Sequence, residues 1–321
     1  MDYMTLGNTK ERVPRIGLGA WQLSDAWKFS EKEGYEAAKR VIAKALELDM
    51  TLIDTAMVYG AGTSERIIGR ALEELNAKGQ VFIVTKIPPH FLQYHDIFKA
   101  VEGSLRRLRR DYVDALLVHW PPAWHNFPTC EYAKALERLV KMGKVRYLGL
   151  SNYPVALIEE FRSCLSVTDI QLLEHRYNIV ERWAEAEIIP YAELNSLTML
   201  AWSPLAQGAI LGKYSLEDVS RLDDVRRGNP LFKPENYREL LKLADLLAEI
   251  GKKYDKSPAQ VALNFLLVSS NVVLPIPGAK NERQVEENAG AAGWRLSYDD
   301  WRRLDEATKS LKLSYIDIPS E

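Results

Sequence analysis

Polar side chains recur at a nearly constant interval through the first half of the chain. Short apolar runs end in Asp54, Lys86, His119 and Ser151, which are 32, 33 and 32 residues apart, and Tyr59 follows Asp54 by five positions. If each interval is one strand and one helix, consecutive strands are parallel neighbours about 4.8 Å apart. Their carboxyl ends then share one rim. The spacing predicts that an acid, an ammonium, an imidazole and a phenol lie together there.

These groups predict a phenol that exchanges a proton with a substrate oxygen. Free tyrosine has a pKa of about 10, and a nearby ammonium such as Lys86 stabilises the phenolate, so we expect a lowered pKa for Tyr59. A buried ammonium needs a counter-ion, which Asp54 is placed to supply, and His119 is placed to hydrogen-bond the same oxygen. The chain has no G-x-S-x-G nucleophile motif. We therefore expect a hydride from a bound cofactor to attack a carbonyl carbon.

Eight short runs, each followed by a helical pattern, are the elements that would position these groups. They are continuously apolar, which is typical of parallel strands covered on both faces. Eight such units predict the α/β class and a (β/α)8 TIM barrel, in which active-site residues lie at the C-terminal ends of the strands. The runs are 15–19, 51–55, 81–86, 114–119, 145–151, 168–173, 198–203 and 272–277.

The remaining segments are expected to belong to one domain spanning 1–321, because no Pro-, Gly- and Ser-rich linker divides the chain. We predict an N-terminal hairpin within 1–14 with its turn at Gly7 and Asn8, an insertion at 206–233 and an extra C-terminal helix at 297–311. The alternative fold is an open dinucleotide-binding sheet, whose nearest fingerprint is GLGAWQ at 17–22. Gln22 occupies the third glycine position, so this match is incomplete.

Composition limits the partners. The 321 residues carry a net charge of -2, so we predict no binding of nucleic acid and none of an anionic membrane. The uncharged segment 257–279 contains three prolines, which favours a buried helix and strand over a membrane span. His and Cys are not spaced as metal ligands, so we predict no metal. Two cysteines, Cys130 and Cys164, form no disulfide framework, which points to a reducing compartment and a cytoplasmic location.

Several motifs, in order and running essentially end to end, resemble the aldo-keto reductase family. The pattern D-T-A-x-x-Y-G-x-G-x-S-E occurs at 54–65, followed by VTKIPP, LLVHWP, GLSNY, SPLAQGAILGKY and PIPGAKNERQVEEN. The resemblance implies reduction of aldehydes or ketones by hydride transfer from NADPH. It also implies a catalytic tetrad of Asp54, Tyr59, Lys86 and His119, with Tyr59 as the proton donor.

The resemblance implies a cofactor site as well. Many NADPH-specific relatives have arginine where Gln284 stands, so use of NADH stays possible. Lys280 and the start of the last barrel helix favour NADPH, because both attract a 2′-phosphate. The residues expected at the nicotinamide are Ser151, Asn152, Gln171 and Trp202; those at the pyrophosphate are Ser203, Leu205, Gln207 and Gly208; those at the adenosine end are Gly278, Lys280, Gln284, Glu287 and Asn288. Gly19 is also assigned to cofactor binding.

Trp21, Met57 and Trp120 lie on or near the expected rim loops and are assigned to an apolar pocket for a small carbonyl substrate. The alternative is that these bulky side chains only close the barrel mouth. Two other functions fit parts of the pattern. One is a cofactor-binding, redox-sensing subunit with little turnover, and the other is a lyase in which Lys86 forms a Schiff base.

Overall fold

A computed structural model describes residues 1–24, 34–123, 127–222 and 224–314. The chain begins with the predicted hairpin. Strands β1 (Tyr3–Thr5) and β2 (Arg12–Pro14) pair antiparallel, with Met4 opposite Val13. Gly7 in the turn has a φ of 50°, a conformation that glycine adopts without steric cost.

Eight parallel strands form the predicted barrel, and each pairs with its neighbour in chain order. The first and last strands meet through a bridge between Gly19 and Gly278 and through a 3.0 Å hydrogen bond from the Gly17 amide to the Pro275 carbonyl. The sheet therefore closes. The strands are β3 (Leu18–Gly19), β4 (Leu52–Asp54), β5 (Phe82–Ile87), β6 (Val113–Val118), β7 (Val145–Ser151), β8 (Ile170–Arg176), β9 (Thr198–Trp202) and β10 (Val273–Pro275).

Amphipathic helices cover the outside of the barrel. The first of them buries Ala38, Val41, Ile42 and Ala45, which recur at helical spacing on one face. The helices are α1 (Tyr35–Glu47), α2 (Thr63–Glu74), α3 (Tyr94–Leu108), α4 (Thr129–Lys141), α5 (Val155–Ser163), α6 (Ile188–Leu194), α7 (Leu216–Ser220), α8 (Pro234–Tyr254), α9 (Pro258–Ser269), α10 (Glu282–Ala289) and α11 (Tyr298–Lys309).

Two predictions about the C-terminal part are confirmed. The uncharged segment forms helix α9 followed by strand β10, both buried, and Ser257 caps the helix. Within the described ranges, no helix is long and apolar enough to cross a membrane. The extra C-terminal helix is α11, and the Ser297 hydroxyl accepts a hydrogen bond of 3.2 Å from the Asp300 amide at its start.

The barrel interior has an apolar layer, and a charged layer lies next to it toward the C-terminal ends of the strands. Leu52, Val84 and Leu172 belong to a buried cluster inside the barrel, which Leu6 and Val13 of the hairpin segment join. Side chains two positions apart on a strand face the same side. Each of the three interior residues is followed two positions later by a charged one. The apolar layer therefore supports a layer made of Asp54, Lys86 and Glu174.

The cysteines are the main departure from the expected organisation. Cys130, on α4, and Cys164, which follows α5, form a disulfide with a Cα–Cα distance of 4.9 Å. Two cysteines that are 34 residues apart in the sequence give no sign of this proximity. The inference of a reducing compartment loses its basis, because disulfides are typical of oxidising surroundings. The cytoplasmic location stays a prediction.

Candidate active site

The four chemically active side chains predicted from their spacing lie together. The Lys86 ammonium donates hydrogen bonds to the Asp54 carboxylate at 2.5 Å and to the Thr55 carbonyl at 3.1 Å. The centroid of the Tyr59 ring lies 5.4 Å from the Lys86 nitrogen. The rings of Tyr59 and His119 meet edge to face, with centroids 5.8 Å apart.

Burial controls the charge at Lys86. This side chain is fully buried, and Asp54 is 3% exposed. Burial by itself lowers the pKa of an ammonium, but the carboxyl groups of Asp54 and Glu174 outweigh that effect and leave the pKa of Lys86 raised. Lys86 is therefore charged at neutral pH and cannot serve as the neutral amine that a Schiff base requires.

Burial also controls the phenol and the imidazole. It raises the pKa of Tyr59 above the ordinary value, although the Lys86 charge acts in the opposite direction. The expectation of a lowered pKa is therefore wrong in sign, because desolvation exceeds the Coulomb attraction. Burial, with Lys86 nearby, lowers the pKa of His119 to about 3. Tyr59 holds its proton at neutral pH and His119 is a neutral hydrogen-bonding group.

The polar residue near the top of β8 is Glu174, which the sequence argument missed. Its Oε2 lies 3.2 Å from the Lys86 nitrogen, and the side chain is 2% exposed. The apolar run at 168–173 predicts a strand that ends near residue 173, which favours Gln171 as its polar residue. The strand continues to Arg176, so Gln171 is its second residue and accepts a 2.8 Å hydrogen bond from the Asn8 amide beside the hairpin. Placing Gln171 at the cofactor is corrected accordingly.

A cavity of about 390 Å³ extends from the catalytic residues toward α10. Asp54, Tyr59 and His119 line one end. All the other residues assigned to the cofactor from the sequence line the cavity: Gly19, Ser151, Asn152, Trp202, Ser203, Leu205, Gln207, Gly208, Gly278, Lys280, Gln284, Glu287 and Asn288.

A hydrogen-bond chain positions the residues next to His119. Asn152 donates to the His119 carbonyl at 3.0 Å, and its side-chain oxygen accepts a 3.0 Å hydrogen bond from the Trp202 indole. Asn152 adopts a φ of 63°, in the left-handed region that asparagine tolerates better than most residues. The chain fixes the position of Trp202 at the cavity wall.

The loop after β9 has an unusual backbone. Ser203, Ala206 and Gln207 have φ values of 51°, 49° and 55°, and Gly208 has 91°. Non-glycine residues in this region cost of order 1 kcal/mol each and cluster at ligand sites. Nothing lies within 4 Å of the position where Gly208 would carry a Cβ. The loop thus leaves open space beside its backbone amides, which suits an anionic group such as a pyrophosphate.

Cations gather at the far end of the cavity. Lys280 is half-buried, and its pKa is lowered by burial and by the charge of Arg226. Arg226 pairs with Asp224 at 2.5 Å and also lines the cavity. Sequence reasoning missed Arg226 because the insertion 206–233 contains no periodic pattern that places it. Gln284 accepts a 2.8 Å hydrogen bond from the Lys280 amide.

The three residues assigned to the substrate pocket divide between two places. Trp21 and Trp120 line the main cavity, and Trp120 is 50% exposed. Met57 is 7% exposed and lies against a separate surface depression with Phe91 and Arg106. Met57 opens the turn at 57–60, and its side chain lies at that depression instead of the main cavity. The assignment of Met57 to the pocket is corrected.

Comparison with known proteins agrees with this arrangement. The sequence model of the Aldo/keto reductase family matches residues 15–309. The aldo-keto reductase YhdN of Bacillus subtilis is 31% identical over 315 residues, which cover 95% of this chain and 93% of that protein.

Two solved structures share the fold. The glycerol dehydrogenase AKR11B4 from Gluconobacter oxydans has a TM-score of 0.89 at 29% identity, covering 99% of this chain and 98% of its own. An aldo-keto reductase from Klebsiella pneumoniae, solved in complex with NADPH, has a TM-score of 0.76 at 26% identity. That match covers 98% of this chain and 100% of its own.

Proposed function

We propose, because this chain belongs to the aldo/keto reductase family, that Asp54, Tyr59, Lys86 and His119 are its catalytic residues and Tyr59 its proton donor. The protein is an oxidoreductase that reduces aldehydes or ketones to alcohols, with NADPH as its reductant. One observation carries the assignment of roles. A single buried ammonium donates to the Asp54 carboxylate and lies 5.4 Å from the centroid of the Tyr59 ring, at the end of a cavity of about 390 Å³.

The residues present fit the cofactor. Trp202, held by Asn152, lies beside the catalytic residues and offers an aromatic face for the nicotinamide. The left-handed loop at 203–208 would hold the pyrophosphate, and Lys280 with Arg226 would hold the 2′-phosphate. When bound, NADPH supplies the hydride that the carbonyl carbon accepts.

The chain's own residues handle the proton. Tyr59 donates it to the carbonyl oxygen as negative charge develops there. Lys86 stabilises the phenolate that remains, and Asp54 keeps Lys86 charged and in place. Neutral His119 donates a hydrogen bond to the same oxygen and fixes its direction. Trp21 and Trp120 would cover the substrate and limit access of water.

Tyr59→Phe tests this assignment. It removes the phenol and keeps the ring that packs against His119. We expect kcat for aldehyde reduction to fall by about 10²–10⁴-fold, since that is the usual contribution of a general acid. The dissociation constant for NADPH should stay within about twofold of the wild-type value.

NADPH oxidation at 340 nm with a panel of small aldehydes measures the rate, and fluorescence titration measures cofactor binding. Tyr298→Phe is the matched control, because Tyr298 is 70% exposed and lies on α11. Near-wild-type turnover of Tyr59→Phe would show that another group supplies the proton.

A further inference from the structure

Two carboxyl groups share the catalytic ammonium. Asp54 lies 2.5 Å and Glu174 3.2 Å from the Lys86 nitrogen, and all three side chains are at most 3% exposed. One positive charge cannot neutralise two negative charges. Burial of the excess negative charge in a low-dielectric interior would be costly, so one of the two carboxyl groups is expected to hold a proton.

The hydrogen bonds indicate which carboxyl group holds that proton. An ammonium has three N–H donors. Two of those of Lys86 are directed to the Asp54 carboxylate and the Thr55 carbonyl. The Oε2 atom of Glu174 is buried and accepts no hydrogen bond from the described residues. The Asp54 carboxylate, by contrast, accepts the 2.5 Å hydrogen bond from Lys86, which stabilises its ionised form. Glu174 is therefore the protonated partner.

The surroundings of Glu174 contain few other charges. Asp54 from β4, Lys86 from β5 and Tyr59 from the loop after β4 act on this group. The neighbouring strands β7 and β9 place the uncharged residues Ser151 and Leu200 in register with it.

The remaining titratable groups nearby have fixed states. His119, beyond β6, is neutral, and so is buried His175, whose pKa burial lowers to about 4. Arg176 pairs with Glu181 at 2.9 Å. Glu174 itself lines the cavity, where its proton can exchange with water.

We propose that Glu174 is a positioning residue of the active site, which acts on Tyr59 through Lys86 and restricts carbonyl reduction to the pH range in which its own carboxyl group is protonated. The proposal rests on the role of Tyr59 proposed above. An ionised Glu174 would compete for the Lys86 charge and repel the phenolate that forms when Tyr59 gives up its proton. Tyr59 would then be a weaker acid, and reduction would slow.

The direction of the titration follows from the same geometry. Burial and the adjacent Asp54 raise the pKa of Glu174 to about 8. Below that pH the acid is neutral and Lys86 fully supports Tyr59. Above it the carboxylate forms, well before Tyr59, whose own pKa is raised above its ordinary value. The activity should therefore decline on the alkaline side with the titration of Glu174 and not of Tyr59.

Glu174→Gln tests the proposal, because the amide has the shape of the neutral acid and cannot ionise. We expect wild-type kcat to fall by about tenfold between pH 7 and pH 9.5. A rise of about one unit in the pKa of Tyr59 makes the phenol a tenfold weaker acid. In Glu174→Gln the fall over the same pH range should be less than about threefold. Glu137→Gln, a buried carboxyl group on α4 away from the cavity, should keep the wild-type profile.

A second readout does not depend on catalysis. The native-state pKa of Glu174 lies above the unfolded value of about 4.3, so its contribution to the free energy of unfolding falls as pH rises between these two values. The melting temperature of Glu174→Gln should therefore rise relative to wild type between pH 5 and pH 8.

The outcomes separate the two proposals. Activity in Tyr59→Phe together with the expected melting curves would reject the role of Tyr59 and the pH restriction, but would leave the protonation of Glu174 standing. An identical alkaline decline in wild type and Glu174→Gln would overturn the positioning role. So would loss of activity at every pH in a Glu174→Gln protein that still binds NADPH and melts normally, because Glu174 would then carry the proton directly.

Discussion

Lys86 lies behind the catalytic end of the cavity and Lys280 lines the other end, and the two lysines have opposite surroundings. Lys86 is fully buried against two carboxyl groups, which raise its pKa. Lys280 is half-buried beside Arg226, and burial and that neighbouring charge lower its pKa. The first ammonium is matched by acids of the protein itself. The second lies beside another cation, Arg226, which pairs with Asp224.

The two surroundings suit different tasks, which are proton transfer at Lys86 and cofactor binding at Lys280. A charge that is matched internally stays in one position and one protonation state, as proton transfer requires. Cations that line the cavity favour an anion from outside, such as the 2′-phosphate of the cofactor. Substitutions at the two ends should therefore have different consequences, with stability and turnover affected at one end and affinity at the other.

Lys86→Met should have the largest effect. It leaves Asp54 buried without its counter-ion, and loss of one partner of a buried pair costs about 3–5 kcal/mol in the free energy of unfolding. Reductase activity should fall by more than about 10²-fold, because the phenolate loses its support. Urea denaturation at pH 7 measures the first effect and NADPH oxidation the second.

The control is Lys242→Met, since this lysine side chain on α8 is 67% exposed and pairs only with Glu239 among the described residues. It should change neither quantity appreciably. A loss below about 1 kcal/mol in Lys86→Met would mean that the buried acids do not depend on this ammonium.

Lys280→Met should have an intermediate effect of a different kind. We expect the dissociation constant for NADPH to rise by about tenfold, because the loss of a hydrogen bond to a charged group weakens binding by about that factor. The dissociation constant for NADH should stay unchanged. At saturating NADPH, kcat should equal that of the wild type. Equal weakening of both cofactors would contradict a role in binding the 2′-phosphate.

Gln284→Arg should have the smallest effect. The substitution adds a planar cation next to Lys280 but removes the hydrogen bond that Gln284 accepts from the Lys280 amide. We expect NADPH to bind about threefold more tightly than in the wild type, because a bidentate contact is gained and one neutral hydrogen bond is lost. Isothermal titration with NADPH and NADH measures the change, and Gln284→Ala controls for the lost hydrogen bond.

The errors of sequence interpretation have identifiable causes. Spacing along the chain located Asp54, Lys86 and His119, because each stands at the end of a strand whose limits were visible. It failed at β8, where the apolar run ends at Leu173 but the strand continues to Arg176. Gln171 was chosen and Glu174 missed for that single reason. The assignment of Met57 was wrong for a different reason. Met57 lies in a turn, and a turn has no repeating pattern that predicts which way a side chain points.

The sequence by itself determined the eight-stranded barrel, because continuously apolar runs at regular intervals can be buried only as neighbouring parallel strands. It also determined that an acid, a lysine and a histidine share one rim. Only the tertiary structure decided the charge states of these groups, because desolvation depends on how completely the surrounding chain covers them. It also decided the pairing of Cys130 with Cys164 and of Lys86 with Glu174, since contacts between distant segments depend on how the strands and helices pack.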